Sequence, residues 1–154
     1  MTDEAQAGGK QVAIQKIYVK DASLEVPNAP AIFTQEWKPQ MDVQLNTGVQ
    51  DLSDEAHEVV LTVTVTAKLD DQTAYLAEVK QAGVFLVRGF EDEAERRAIL
   101  GAYCPNTMFP FVRETVADLV VRAGFPHFLL QPVNFDALYQ QHLQQQQNKA
   151  ETKH

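Results

Sequence analysis

Acid–base chemistry is the first possibility the residue types raise, because 21 of the 154 side chains are Asp or Glu. A pair such as Asp21 and Glu78 could act as acid and base only if the fold brought them together and drove their pKa values apart. The run Glu91-Asp92-Glu93-Ala94-Glu95 has a simpler use, at the positive end of a helix dipole with Arg96 and Arg97 behind it. Nucleophilic and nucleotide chemistry has less to work with. Ser23 and Ser53 stand outside any Gly-x-Ser-x-Gly turn, and neither a Gly-x-x-x-x-Gly-Lys nor a Gly-x-Gly-x-x-Gly loop occurs. His57, His127, His142 and His154 lack the i, i+4 pairing of a zinc helix and have one cysteine to join them, so no metal site is expected. That cysteine, Cys104, reads as a buried structural thiol and has no partner for an internal disulfide. Binding, rather than catalysis, is the chemistry that remains.

The elements that would present a binding surface follow from composition and period. With 45% hydrophobic and 22% charged residues, the chain suits a single domain. Thirteen basic residues against 21 acidic ones leave a formal charge of −8, which repels phosphate backbones in the absence of a basic patch, so no nucleic-acid partner is expected. Met1-Thr-Asp-Glu-Ala lacks the basic start of a signal peptide, and no apolar run reaches the roughly eighteen residues of a membrane span. A cytoplasmic protein without direct membrane insertion is expected.

Residues 1–10, ending near Gly8-Gly9, read as a flexible N-terminal tail, 11–147 as the folded domain, and 148–154 as a flexible C-terminal tail. Val12, Ile14, Ile17, Tyr18 and Val19 predict a strand from Gln11 to about Ala22, covered on both faces. Pro27 and Pro30 then force an extended crossover carrying Phe33 and Trp37. Met41, Val43, Leu45 and Val49 alternate with polar residues as a second strand. From Glu58 to Leu69 the alternation is strict, Val59, Leu61, Val63, Val65, Ala67 and Leu69 on one side and the threonines on the other. Asp70-Asp71 turns the chain into a return strand from Thr73 to Val87.

After Gly89 the period becomes helical. A short helix is expected to about Tyr103, interrupted by Pro105, and a second from Thr107, its stripe formed by Phe109, Val112, Val116, Leu119, Val120 and Ala123 and its end marked by Gly124. Asn134 caps a last helix whose one side carries Phe135, Leu138, Tyr139, His142 and Leu143. Strands followed by helices predict an α+β fold, a four-stranded antiparallel sheet with helices on one face. Apolar residues on both sides of several strands predict an oligomer.

Three segments carry a family resemblance: Lys20-Asp-Ala-Ser-Leu-Glu-Val-Pro-Asn-Ala-Pro30, Leu100-Gly-Ala-Tyr-Cys-Pro-Asn-Thr-Met-Phe-Pro-Phe-Val-Arg-Glu114 and Gln131-Pro-Val-Asn-Phe-Asp-Ala-Leu-Tyr139. In order and spacing the chain resembles the SecB family of protein-export chaperones from about residue 11 to residue 147. Ala82 and Phe111 depart from the family pattern, where a glycine and a tyrosine are usual.

The resemblance implies a SecB-like protomer assembled as a homotetramer, a dimer of dimers, without catalytic activity or cofactor. Such a protein binds unfolded secretory preproteins, keeps them translocation-competent and delivers them to the ATPase SecA. The family's groove lining falls here on Phe33, Trp37, Phe111 and Tyr139, with Leu138 and Leu143 beside them; Phe109 and Phe135 read as core. Its SecA-binding patch falls on Asp21, Glu25, Leu76 and Glu78, and the zinc of that contact belongs to SecA. The rival within this class is a chaperone dedicated to one partner, such as an antitoxin.

Overall fold

The computed structural model describes residues 9–152; positions 1–8 of the tail expected at 1–10, and positions 153–154 of the C-terminal one, lie outside the described residues. The strands are β1 (Gln11–Glu25), β2 (Gln40–Asp51), β3 (Ala56–Leu69) and β4 (Gln72–Arg88), and a 3₁₀ turn at Ala31–Thr34 interrupts the crossover from β1 to β2. They form one sheet in the order β1-β4-β3-β2, every pairing antiparallel. The β3–β4 hairpin turns at Asp70, which takes φ +53°. Aspartate tolerates that left-handed conformation better than most residues.

Alternation decides what each face of the sheet meets. On the inner face Val59, Leu61, Val63, Val65 and Ala67 of β3 and Tyr75, Ala77, Val79 and Phe85 of β4 are fully buried. The outer face is polar along half its length, with Thr62, Thr64 and Thr66 opposite Lys80, Glu78 and Leu76.

The helical half consists of α1 (Glu93–Ala98), a π-helical segment (Ile99–Tyr103), α2 (Cys104–Arg122) and α3 (Phe135–Thr152). Asp92 caps α1 by accepting from Ala94 N–H at 3.0 Å. Pro105 does not interrupt the helix as expected, for the chain stays helical from Glu93 to Arg122. Cys104 N–H donates to the Ile99 carbonyl, five residues back, so the ladder changes register just before the proline. A residue with no N–H is tolerated there, at the first turn of α2. Pro110 falls inside α2.

Along α2, Cys104, Met108, Val112, Val116 and Val120 recur every four residues and are fully buried over β4 and β3. Burial pushes the Cys104 thiol up to about 12, which makes it a packing group rather than a nucleophile. Gly124, at φ +92°, closes α2 with paired bonds, Gly124 N–H to Val121 O and Phe125 N–H to Val120 O. α3 continues to Thr152, through positions where a tail was expected, its sequence there rich in good helix formers.

α2 lies over the two central strands, β4 and β3. On the inner face, Ile14 and Val19 of β1 and Val43 and Val49 of β2 remain 39–50% exposed. The covering expected on both faces of β1 is therefore not supplied within one protomer. The reason is its place at the sheet's edge, beyond the reach of α2.

Candidate functional site

Register brings the four residues of the expected acidic patch onto one surface. Glu25 lies across from Leu76, Ser23 from Glu78 and Asp21 from Lys80, all on the face away from the helices. Strict alternation would not do this. Val19 pairs with Gln81, so without an irregularity Lys20 would face Lys80 and Asp21 would turn inward. A bulge between Val19 and Asp21 leaves Lys20 unpaired and rotates Asp21 outward. Glu78 is held from the neighbouring strand by Thr64 Oγ1, which donates to it at 2.9 Å.

The extruded Lys20 reaches Glu58 instead, Nζ to Oε1 at 2.8 Å, and the Tyr18 hydroxyl donates to the other Glu58 oxygen. These two donors hold the Glu58 carboxyl below the usual carboxylate range, outweighing its burial. The same carboxylate, aided by burial, pushes Tyr18 up to about 12. The outer face is thus divided into an internally neutralised half around Glu58 and an acidic half around Asp21, Glu25 and Glu78. Asp21 and Glu78 stand on this open face with Lys80 and Thr64 beside them, rather than enclosed as an acid–base pair.

The inner face carries a groove of about 820 Å³ between β2, the π segment and α3. Leu45 and Val49 form one wall, Leu138, Tyr139 and Leu143 the other, and Leu100 part of the base. α3 is set in place by Asn134, whose Oδ1 accepts from Ala137 N–H at 3.0 Å, and by Phe135 packed edge-on against Phe109. Gly101 lets the two helical pieces meet: a Cβ there would lie 2.5 Å from the Tyr139 ring. Asp51, Glu93, Arg96 and Arg97 put charge around the groove.

The six expected groove residues do not form one cluster. Leu138, Tyr139 and Leu143 line this groove. Phe33 and Trp37 lie in the crossover before β2, where both pack at a tilt against Phe125, at 5.0 and 5.2 Å between ring centres. Phe111 is 46% exposed on α2 and belongs to neither group. The two groups are joined along β2, whose half-exposed Val43 and Val49 continue the apolar strip. Tyr75 and Phe125 complete the aromatic cluster with centroids 5.0 Å apart, and sequence reading did not nominate them. The one available signal was the position of Phe125, between a helix-ending glycine and a proline. Burial pushes the Tyr75 hydroxyl up to about 12.

Among the described residues, no cluster of three or more potential metal ligands occurs, and no helix is long and apolar enough to cross a membrane. The family described as preprotein translocase subunit SecB matches residues 5–146. A protein-export protein SecB from Nitrosococcus oceani is 57% identical over 148 residues, 94% of this chain and 90% of that protein. Another from Methylococcus capsulatus is 50% identical over 151 residues, 98% and 97% of the two chains. Among solved structures, a SecB-like chaperone from Mycobacterium tuberculosis in complex with an antitoxin peptide superimposes with a TM-score of 0.66 at 22% identity, over 79% of this chain and 90% of that one. That last likeness concerns the fold.

Proposed function

The chain belongs to the SecB family of protein-export chaperones, and from that premise we propose that it holds unfolded secretory preproteins in the cytoplasm and delivers them to the ATPase SecA. The observation that carries this reading is the apolar strip from Trp37 along β2 to Val49, walled by α3 and left uncovered by the chain's own helices. Unfolded segments share no sequence code. They share apolar surface, whose burial is worth roughly 25 cal/mol per Å², and a backbone that hydrogen-bonds. A strip with aromatic and aliphatic walls and charge at its rim offers both.

The acidic half of the outer face is the SecA contact in this reading, formed by Asp21, Glu25, Leu76 and Glu78. It lies on the opposite side of the sheet from the groove, so that client and ATPase engage together. Phe33, Trp37, Leu138, Tyr139 and Leu143 contact the client directly. Phe111 sits apart from them in the protomer and takes part only if assembly closes the distance.

The protein works as a homotetramer, a dimer of dimers, by binding rather than catalysis and without a cofactor. The half-exposed Ile14 and Val19 of β1, with Tyr103, Phe111 and Val121 on the helical side, support assembly. The direct test dilutes a slowly folding preprotein from denaturant into the purified protein and follows its folding together with the mass of the complex. Arrested folding in a complex holding four copies of the chain is the expected result. Unaffected folding across several preproteins would overturn the export reading in favour of a single dedicated partner.

A further inference from the structure

At the floor of the groove one ring nitrogen has no partner. His57 near the start of β3 faces the helices, and its side chain is 4% exposed. Its Nδ1 lies 2.7 Å from Oδ1 of Asp51, the residue directly across on β2. The Asp51 carboxylate only accepts hydrogen bonds, so in the neutral form of the ring the proton sits on Nδ1 and Nε2 is the acceptor. That Nε2 is buried and unbonded. The guanidinium groups on the rim are turned to other acceptors, Arg97 to Glu93 at 2.7 Å and Arg96 to the Asp54 carbonyl at 2.9 Å. A buried acceptor is costly to leave unpaired, and such an orphan in a groove calls for a ligand donor.

We infer that His57 is a hydrogen-bonding register point of the groove, its Nε2 accepting a backbone N–H of an extended, unfolded polypeptide lying along β2. This rests on the groove being the client site. Backbone amide is the donor that such clients have in common, since every residue but proline carries one. Asp51 is the positioning residue, fixing the tautomer that makes Nε2 an acceptor. α3 docks chiefly on the π segment, through Tyr139 on Gly101, and touches β2 sparsely. A segment entering between α3 and β2 therefore reaches the floor without disturbing the sheet.

The test uses the full-length protein and a fluorescein-labelled, unstructured peptide taken from a preprotein, together with a series in which one backbone amide at a time is N-methylated. Wild type is expected to bind the parent peptide and to lose about tenfold at one amide position. His57→Phe, which keeps the ring shape without the nitrogen, binds the parent about tenfold more weakly and shows no loss at that position. His57→Gln, which restores an acceptor, recovers part of the affinity. Conformational effects of N-methylation are common to all variants and cancel in the comparison. The proposal is overturned if His57→Phe binds the parent like wild type, or if its N-methylation profile matches that of wild type. Asp51→Leu, which removes the acceptor at a position 75% exposed, is the second variant if His57→Phe fails to fold, and a wild-type profile from it overturns the proposal equally. Failure of the wild type to bind the parent peptide at all would instead overturn the groove reading.

Discussion

Asp21 faces Lys80 across the β1–β4 ladder because Lys20 is extruded from it, so that a single unpaired residue decides which carboxylates share the outer face. The charge of that face can therefore be tested at its members. Asp21→Asn combined with Glu78→Gln is expected to slow association with SecA by about five- to tenfold at low ionic strength. The difference should shrink as salt shortens the Debye length below about 10 Å, with the complex's dissociation rate little changed. Stopped-flow measurements at several salt concentrations check this, and equal rates at low salt would remove the patch from the contact.

Gly101→Ala should behave against the usual rule. An alanine in place of a helical glycine ordinarily stabilises by about 0.5–1 kcal/mol. Here the new Cβ would lie 2.5 Å from the Tyr139 ring, so overpacking of about 1–3 kcal/mol is expected to win and to push α3 away from its seat. Urea midpoints measure the loss, and Tyr139→Ala in the same chain should relieve most of the added strain, giving a non-additive cycle.

Stability should fall at both ends of the pH scale, for different groups. Glu58 has a lowered pKa in the folded chain, so its contribution is present above the unfolded carboxylate range near pH 4.5 and is lost as pH falls through the lower folded value. Glu58→Gln should flatten that acid limb. Tyr18 and Tyr75 are raised from 10.0 to about 12 and Cys104 from 9.0 to about 12, so the folded state holds their protons more tightly. Their contributions are complete below the unfolded values and are lost as pH rises from about 9 to about 12. Tyr18→Phe removes part of the alkaline loss; denaturant midpoints against pH read both limbs.

Trp37 is the one tryptophan of the chain and packs against Phe125 and Tyr75 in the aromatic cluster. Occupancy of the neighbouring strip by an unfolded client should shift its emission to shorter wavelength in proportion to binding. Trp37→Ala should weaken client capture by about 1–3 kcal/mol while light scattering still finds the intact oligomer. Loss of the oligomer would assign Trp37 to assembly instead.

The sheet and its faces were legible because alternation is local information: the pattern from Val59 to Leu69 names its buried side without knowledge of the partner strands. The bulge at Lys20 was not, since whether a residue is extra depends on the strand opposite. Pro105 misled for a related reason. Its effect depends on the hydrogen-bond register it meets, and the π turn before it removes the conflict. Asp21, Glu25, Leu76 and Glu78, which share the outer face, could be named together from the family likeness, but the division of the expected groove residues into the Phe33–Trp37 and Leu138–Tyr139–Leu143 groups could not. His57 was passed over in the sequence because an orphaned nitrogen is a property of surroundings drawn from β2, β3 and the helices together.

The two open edges of the sheet differ in regularity. β1 departs from its ladder twice, at Ile14/Lys16 and at Val19/Asp21, whereas β2 keeps unbroken register with β3 from Gln40 to Asp51. A bulged strand bends and twists more strongly, so a strand docking on β1 must carry a complementary irregularity, which a second copy of the same chain can supply and an arbitrary sequence cannot. The regular edge makes no such demand. The sheet thus has a discriminating margin and a permissive one, and backbone geometry alone makes β2 the edge on which an extended strand of any sequence can pair.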